Sequence, residues 1–267
     1  MKPNLATISY QGIVATIWSG KPLQKKQAYR FIIFCYGLPS HPYQHHPAKV
    51  ERLIEEGYVL VYPKYRGTWE SKGTMSWENC VSSIIQTVRA IKTGHAKEIY
   101  AGKRIEWSTK DIALVGGSFG GSIALVAGAK SKEIHKIIAV AAPINWRDHS
   151  RIRGERSEPI VELYDTIQQG WKPLWRISSR KEWLRLAHGT ADINPIDYVS
   201  ILKKKNVLLI HGINDTTVSP TRSKIMHHLL SAGPGQHKLI LLKKTGHLGN
   251  DAVGLPQVIE DVLSFLH

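Results

Sequence analysis

Residues 112–129 read Ile-Ala-Leu-Val-Gly-Gly-Ser-Phe-Gly-Gly-Ser-Ile-Ala-Leu-Val-Ala-Gly-Ala: a short apolar run, a glycine-rich turn around Ser118, and a second apolar stretch. The run at 112–115 suits a strand buried on both faces, and 122–129 suits a buried helix. Gly116-Gly117-Ser118-Phe119-Gly120 is thus G-x-S-x-G in a strand-turn-helix setting. A turn this tight strains the backbone of its central residue and requires neighbours without side chains so that the helix can pack. It lifts the serine hydroxyl above the sheet, at the positive end of a helix, which makes Ser118 a candidate nucleophile. Glycine-rich strand-to-helix turns also cradle phosphates, but neither the GxGxxG nor the P-loop spacing is present.

Outward from this turn, the same pattern repeats. Short apolar runs occur at 31–36, 58–62, 137–141, 207–210 and 239–242, and alternating segments at 7–10 and 13–18 predict an N-terminal hairpin around Gln11-Gly12. Helical spacing occupies 48–56, 77–92, 221–230 and 257–266. Strand alternating with helix predicts an α/β fold with a mostly parallel central sheet flanked by helices. Residues 145–201 break the alternation: no strand is expected there, and the stretch carries Trp146, Trp171, Trp175 and Trp183 with several arginines. They predict a small helical cap inserted into one domain that spans 1–267, a length one core can serve. There are no internal repeats or low-complexity tracts to mark a linker.

A serine hydroxyl needs a base to take its proton and an acid to hold that base in the right tautomer. Strand-end loops are where an open α/β sheet presents such groups. Asp215 follows the run at 207–210, in His211-Gly212-Ile213-Asn214-Asp215-Thr216-Thr217-Val218, and His247 follows the run at 239–242 in Thr245-Gly246-His247-Leu248-Gly249. The order Ser, Asp, His is the one this architecture uses. Asp192 and Asp197 precede a strand instead, Asp251 lies too near His247 to share the acid's loop, and His211 reads as a structural residue at a strand end. Acyl transfer also needs donors for a developing oxyanion. Phe119 N–H is one, and the second is expected from Cys35-Tyr36-Gly37-Leu38-Pro39, where Tyr36 offers a hydroxyl. Trp171, Trp175 and Trp183 are candidates to wall an apolar substrate pocket, or else pack the cap onto the sheet.

Taken together, these motifs resemble the α/β-hydrolase superfamily and, within it, the catalytic domain of the prolyl oligopeptidase family and its free-standing esterase relatives. The stretches that carry the likeness are Tyr36-Gly37-Leu38-Pro39, Tyr65-Arg66-Gly67-Thr68, Gly116 to Gly121, His211 to Val218 and Gly246-His247, and it runs from about residue 30 to the end. The resemblance implies Ser118, Asp215 and His247 as a triad, Tyr36 as oxyanion hydroxyl, and Arg66 as a structural brace. The chain departs at Leu38, where a glycine is usual, and at Phe119, where a tyrosine is usual. It also lacks the β-propeller with which those peptidases restrict entry, so the expectation is a carboxylesterase acting on a small ester, with a short peptide as the alternative substrate. An acyltransferase, or a non-catalytic basic binding protein on the same scaffold, are the readings from other classes.

The bulk numbers restrict partners. The formal charge is +15, yet the basic residues are dispersed in short clusters such as Lys25-Lys26, Lys203-Lys204-Lys205 and Lys243-Lys244, and no nucleic-acid motif accompanies them. The densest group, Arg147, Arg151, Arg153 and Arg156, favours either an anionic substrate or a solvated loop. His41, His45 and His46 lack partners with ligand spacing and read as a proline-rich solvated loop, so no metal and no cofactor are expected. Cys35 and Cys80 sit in apolar segments and are expected as buried free thiols. Residues 1–12 lack a signal-peptide core, and no run approaches the roughly 18 apolar residues of a membrane span, so a cytoplasmic protein is expected.

Overall fold

The computed structural model describes residues 3–40, 49–148, 152, 155 and 159–267. Its strands are β1 (Asn4–Tyr10), β2 (Ile13–Ser19), β3 (Ala28–Cys35), β4 (Tyr58–Pro63), β5 (His95–Glu98), β6 (Arg104–Glu106), β7 (Ser108–Gly117), β8 (Lys136–Val140), β9 (Asn206–Gly212) and β10 (His237–Leu242). The helices are α1 (Glu51–Glu55), α2 (Trp77–Lys92), α3 (Phe119–Lys130), α4 (Ile160–Gly170), α5 (Arg180–Ala187), α6 (Val199–Leu202), α7 (Pro220–Ser231) and α8 (Ile259–Leu266).

All ten strands join one sheet in the order β10-β9-β8-β7-β3-β4-β2-β1-β5-β6. The six from β10 to β4 run parallel, which brings their carboxyl ends to one edge. Where they are covered on both faces they are apolar: every residue of β4 is buried, as are the last five of β3 and the last six of β7, while the edge strand β10 is only partly buried. The N-terminal strands pair antiparallel through the expected hairpin, with Gln11 and Gly12 both at positive φ. The fold is the α/β-hydrolase fold that the motifs implied.

Two helices next to the nucleophile follow directly from sequence. In α2 the Ser76 hydroxyl accepts the Asn79 N–H, Gly94 leaves the helix at φ 75°, and the face from Trp77 through Cys80, Val81, Ile84, Val88 and Ile91 is buried. Helix α3 is buried on all sides from Phe119 to Ala129, as an evenly apolar helix in the centre of a layered fold must be. The hairpin of β5 and β6 was not expected. Its strands are short and polar, His-Ala-Lys-Glu and Arg-Ile-Glu, and they exist because they extend the edge offered by β1.

Among the described residues of 145–201 lie α4, α5 and the start of α6, and two isolated bridges, Thr68 with Trp175 and Met75 with Ile177, stitch this stretch to the loop before α2. The stretch rests on α2 and on the start of α3. The Trp183 ring lies 4.8 Å from that of Trp77, and Trp146 lies 6.0 Å from Phe119. Arg222 of α7, 1% exposed, reaches back to it with charge-assisted bonds to Glu155 and Asp148.

Candidate active site

Strand β7 ends in Gly117, and the chain turns at Ser118 with φ 54° and ψ −127° before α3 begins at Phe119. Non-glycine residues rarely take a positive φ, so the surrounding packing holds this one in place. The glycines show how. A Cβ on Gly120 would overlap the Cys35 carbonyl at the end of β3, and one on Gly117 would come within 2.6 Å of the Asn250 nitrogen. The elbow is therefore wedged between the end of β3 and the segment that follows His247. The Ser118 N–H completes it with a 2.8 Å bond to the Val140 carbonyl of β8.

Asp215 sits on the loop after β9. Its Oδ1 accepts the N–H groups of Thr217 (2.8 Å) and Val218 (3.0 Å), a local turn that fixes the carboxylate. Its Oδ2 lies 2.7 Å from His247 Nδ1 and 3.2 Å from His211 Nε2. Burial by itself would raise the Asp215 carboxyl. The bonds from His211, His247 and Val218 more than offset this and hold it well below the usual carboxylate range. His247, on the loop after β10, keeps about a third of its side chain open to the cleft.

Ser118 and His247 line one cleft of about 660 Å³, with Gly37, Leu38, Thr217 and Leu248 among its walls. The rim carries one ion pair, Lys49 to Asp251 at 2.7 Å. The Phe119 N–H is in the first turn of α3, where helical N–H groups have no partner within the helix and remain available to an anion. Gly37 passes close enough that a Cβ there would lie 3.8 Å from Ser118 Cβ. Tyr36 is fully buried, its ring 5.3 Å from that of Tyr65, and its hydroxyl faces the Tyr62 carbonyl at 3.4 Å. That is beyond the usual range for a hydroxyl bond.

Other expected residues have different surroundings. Trp175 and Trp183 do not wall the cleft: both are 0% exposed. Trp183 packs on Trp77 and donates to the Ile160 carbonyl, while Trp175 packs on Tyr65. Trp171 is half-buried against Trp69, and it too is absent from the described cleft wall. Of the two readings of these tryptophans, the structure supports packing of the insertion. Arg147 forms a two-point pair with Asp197, and Arg66 ties the Gln11 carbonyl to Gln86 of α2 as a brace. Burial pushes the thiols of Cys35 and Cys80 up, so neither is a reactive thiolate. His41, His45, His46, Arg151, Arg153 and Arg156 lie outside the described residues. Among the described residues no three His, Cys, Asp or Glu side chains gather as a metal site, and no helix is long and apolar enough to cross a membrane.

Sequence reasoning missed Asn250, which is buried and donates to the Cys35 carbonyl at 2.9 Å. A lone asparagine three residues past a histidine gives no signal in a single sequence. It also left His211 as a strand-end residue, without its contact to the acid.

Comparison with known proteins adds the following. The profile of the family described as X-Pro dipeptidyl-peptidase (S15 family) matches residues 10–249. A Rhodopirellula baltica protein that carries the provisional name Xaa-Pro dipeptidyl-peptidase is 25% identical over 232 residues, covering 77% of this chain and 37% of its own length. The chain thus spans little more than a third of that curated relative. An acylaminoacyl peptidase of Pyrococcus horikoshii superposes over 99% of this chain and 40% of its own, with TM-score 0.60 and 17% identity. An esterase of Pyrococcus furiosus superposes over 99% of this chain and 90% of its own, with TM-score 0.67 and 20% identity. At these identities the structural likeness speaks for the fold.

Proposed function

The chain belongs to the X-Pro dipeptidyl-peptidase (S15) family, and we propose that it is a serine hydrolase that cleaves carboxylic esters through an acyl-enzyme on Ser118. The observation that carries this reading is the 2.7 Å bond between His247 Nδ1 and Asp215 Oδ2, with His247 and Ser118 on one cleft. Asp215 holds the imidazole with its proton on Nδ1, leaving Nε2 as the base. Nε2 takes the Ser118 Oγ proton as Oγ attacks the ester carbonyl carbon. The Phe119 N–H receives the oxyanion; the Tyr36 hydroxyl, buried outside the cleft lining and facing the Tyr62 carbonyl, adds a second donor only by turning toward Ser118. As the carbonyl re-forms, the C–O bond to the alcohol breaks and His247 returns the proton to the leaving oxygen. Water then adds to the acyl-enzyme by the same route, releasing the acid and restoring Ser118.

An ester is favoured over a peptide by the cleft itself. Leu38, Pro39 and Leu248 give it apolar walls that suit the acyl part of a small ester, and Asp251 on its rim is paired with Lys49. The second reading, a peptidase acting on short Xaa-Pro peptides, draws its support from the family match and from the name of the Rhodopirellula relative.

The test is labelling with a fluorescent fluorophosphonate, wild type beside Ser118→Ala, followed by p-nitrophenyl esters of increasing chain length beside Gly-Pro-p-nitroanilide. Labelling confined to wild type, with turnover of the short esters, is the expected result. Turnover of the anilide alone would move the substrate to peptides. Equal labelling of both proteins, or none of the folded wild type, would remove Ser118 as nucleophile. Faster release of p-nitrophenol with an added alcohol, with a new ester as product, would identify an acyltransferase.

A further inference from the structure

His211 closes β9 and is fully buried. A ring with two polar nitrogens is costly to place there unless both are satisfied. Nε2 lies 2.8 Å from the Val218 carbonyl and 3.2 Å from Asp215 Oδ2. Both are acceptors, so Nε2 carries a proton. Nδ1 lies 2.7 Å from the hydroxyl of Ser223, itself 1% exposed on α7, and in the neutral ring it accepts from that hydroxyl. The partners of the ring thus belong to the acid's own loop, Asp215 and Val218, or to the helix that follows it.

The consequence for Asp215 is a contact on Oδ2 beyond His247: His211 shares its one Nε2 proton between the Val218 carbonyl at 2.8 Å and Asp215 Oδ2 at 3.2 Å. A carboxylate offers about four acceptor positions. Two on Oδ1 are filled by the Thr217 and Val218 N–H groups, and Oδ2 meets His247 and His211. The two bonds on Oδ1 fix one end of the carboxylate. Without a second contact on Oδ2, the other end is restrained only by His247, the group whose position it must define.

The geometry points to His211 as a positioning residue: it braces Asp215 Oδ2 against α7 through Ser223, so that the acid's aim at His247 does not depend on His247 itself. This rests on the reading of Asp215 and His247 as acid and base. A leucine at 211 would fill the space and leave the acid loop unbraced. A glutamine can place an amide N–H close to the position of Nε2 and keep the brace.

The test compares His211→Leu, His211→Gln and Ser223→Ala with wild type, using kcat and KM on p-nitrophenyl acetate and the low-field proton resonance of His247 Nδ1–H, assigned by its loss in His247→Ala. In His211→Leu the expected result is a kcat lower by about 10- to 100-fold with KM within about twofold, the scale of a small misplacement of a catalytic group. Its low-field proton should shift or broaden, and His211→Gln should restore both. Ser223→Ala should move both in the same direction by less, and it serves as the decisive variant if His211→Leu does not fold. An unchanged proton and kcat in folded His211→Leu, or, where it does not fold, in Ser223→Ala, would overturn the proposal. So would equal losses in the leucine and glutamine variants that merely track lower thermal stability. If instead Ser118→Ala hydrolyses like wild type, the nucleophile reading fails, while the proton resonance still reports on the brace.

Discussion

The side-chain amide of Asn250 donates to the Cys35 carbonyl across 2.9 Å, joining the segment after His247 to the last residue of β3. That link runs beside Gly117, so the loop of His247 and the turn after β3 share one anchor. Asn250→Ala should remove one bond to a buried carbonyl, costing about 1 kcal/mol. With the loop less constrained, kcat should fall and KM change little. Chemical denaturation and ester kinetics on the same preparation check this; an unaltered kcat would mean the loop holds its place without the link.

Asp215→Asn should lower kcat by about four powers of ten, because an amide at this position favours the wrong tautomer of His247. The same variant tests the ionisation of the acid. The folded-state carboxyl lies below its unfolded value of about 3.9. Its contribution to stability is therefore fully present above that value and is lost as pH falls toward the folded one. The stability gap between wild type and Asp215→Asn should be constant from neutral pH to about 5 and shrink below about 4. Urea melts across that range measure it, and a gap that persists undiminished in acid would mean the carboxyl is not depressed.

Tyr36→Phe should lower turnover by roughly two to three powers of ten if its hydroxyl leaves the long bond to Tyr62 for the oxyanion, the usual loss for one such donor. Labelling rate and kcat on p-nitrophenyl acetate read this directly. An unchanged rate would transfer the second donor to a backbone N–H such as that of Leu38.

Trp183→Ala should destabilise the fold by about 3–5 kcal/mol, the scale for truncating a buried aromatic. At a temperature where the variant stays folded, KM across an ester chain-length series should match wild type, since the ring packs on Trp77 rather than on the cleft. A KM that changes with acyl length would return Trp183 to the pocket wall.

The central sheet was legible because its strands are buried on both faces, and a continuous apolar run has little else to become. Helix α2 was found to the residue, since both its cap and its terminating glycine are written in sequence. The β5–β6 hairpin was not legible. Its side chains are polar, and what makes it a strand pair is the free edge of β1, a partner some 90 residues earlier. The elbow and the Asp215–His247 pair could be read from spacing because each hangs from a strand end. The tryptophans of 145–201 could not be assigned, because an aromatic lining a cleft and one packed in a core have the same composition. His211 reads in sequence as a structural residue at a strand end, which its burial in β9 agrees with; only distances show what it touches.

The positive φ of Ser118 has a consequence for anyone who engineers this chain. Glycine adopts that conformation without penalty, so Ser118→Gly should raise the melting temperature while ending turnover. A library screened for heat tolerance alone would drift toward glycine at 118 and select molecules that have given up their chemistry. Any directed search for a hardier variant must therefore score each clone twice, once for survival and once for work.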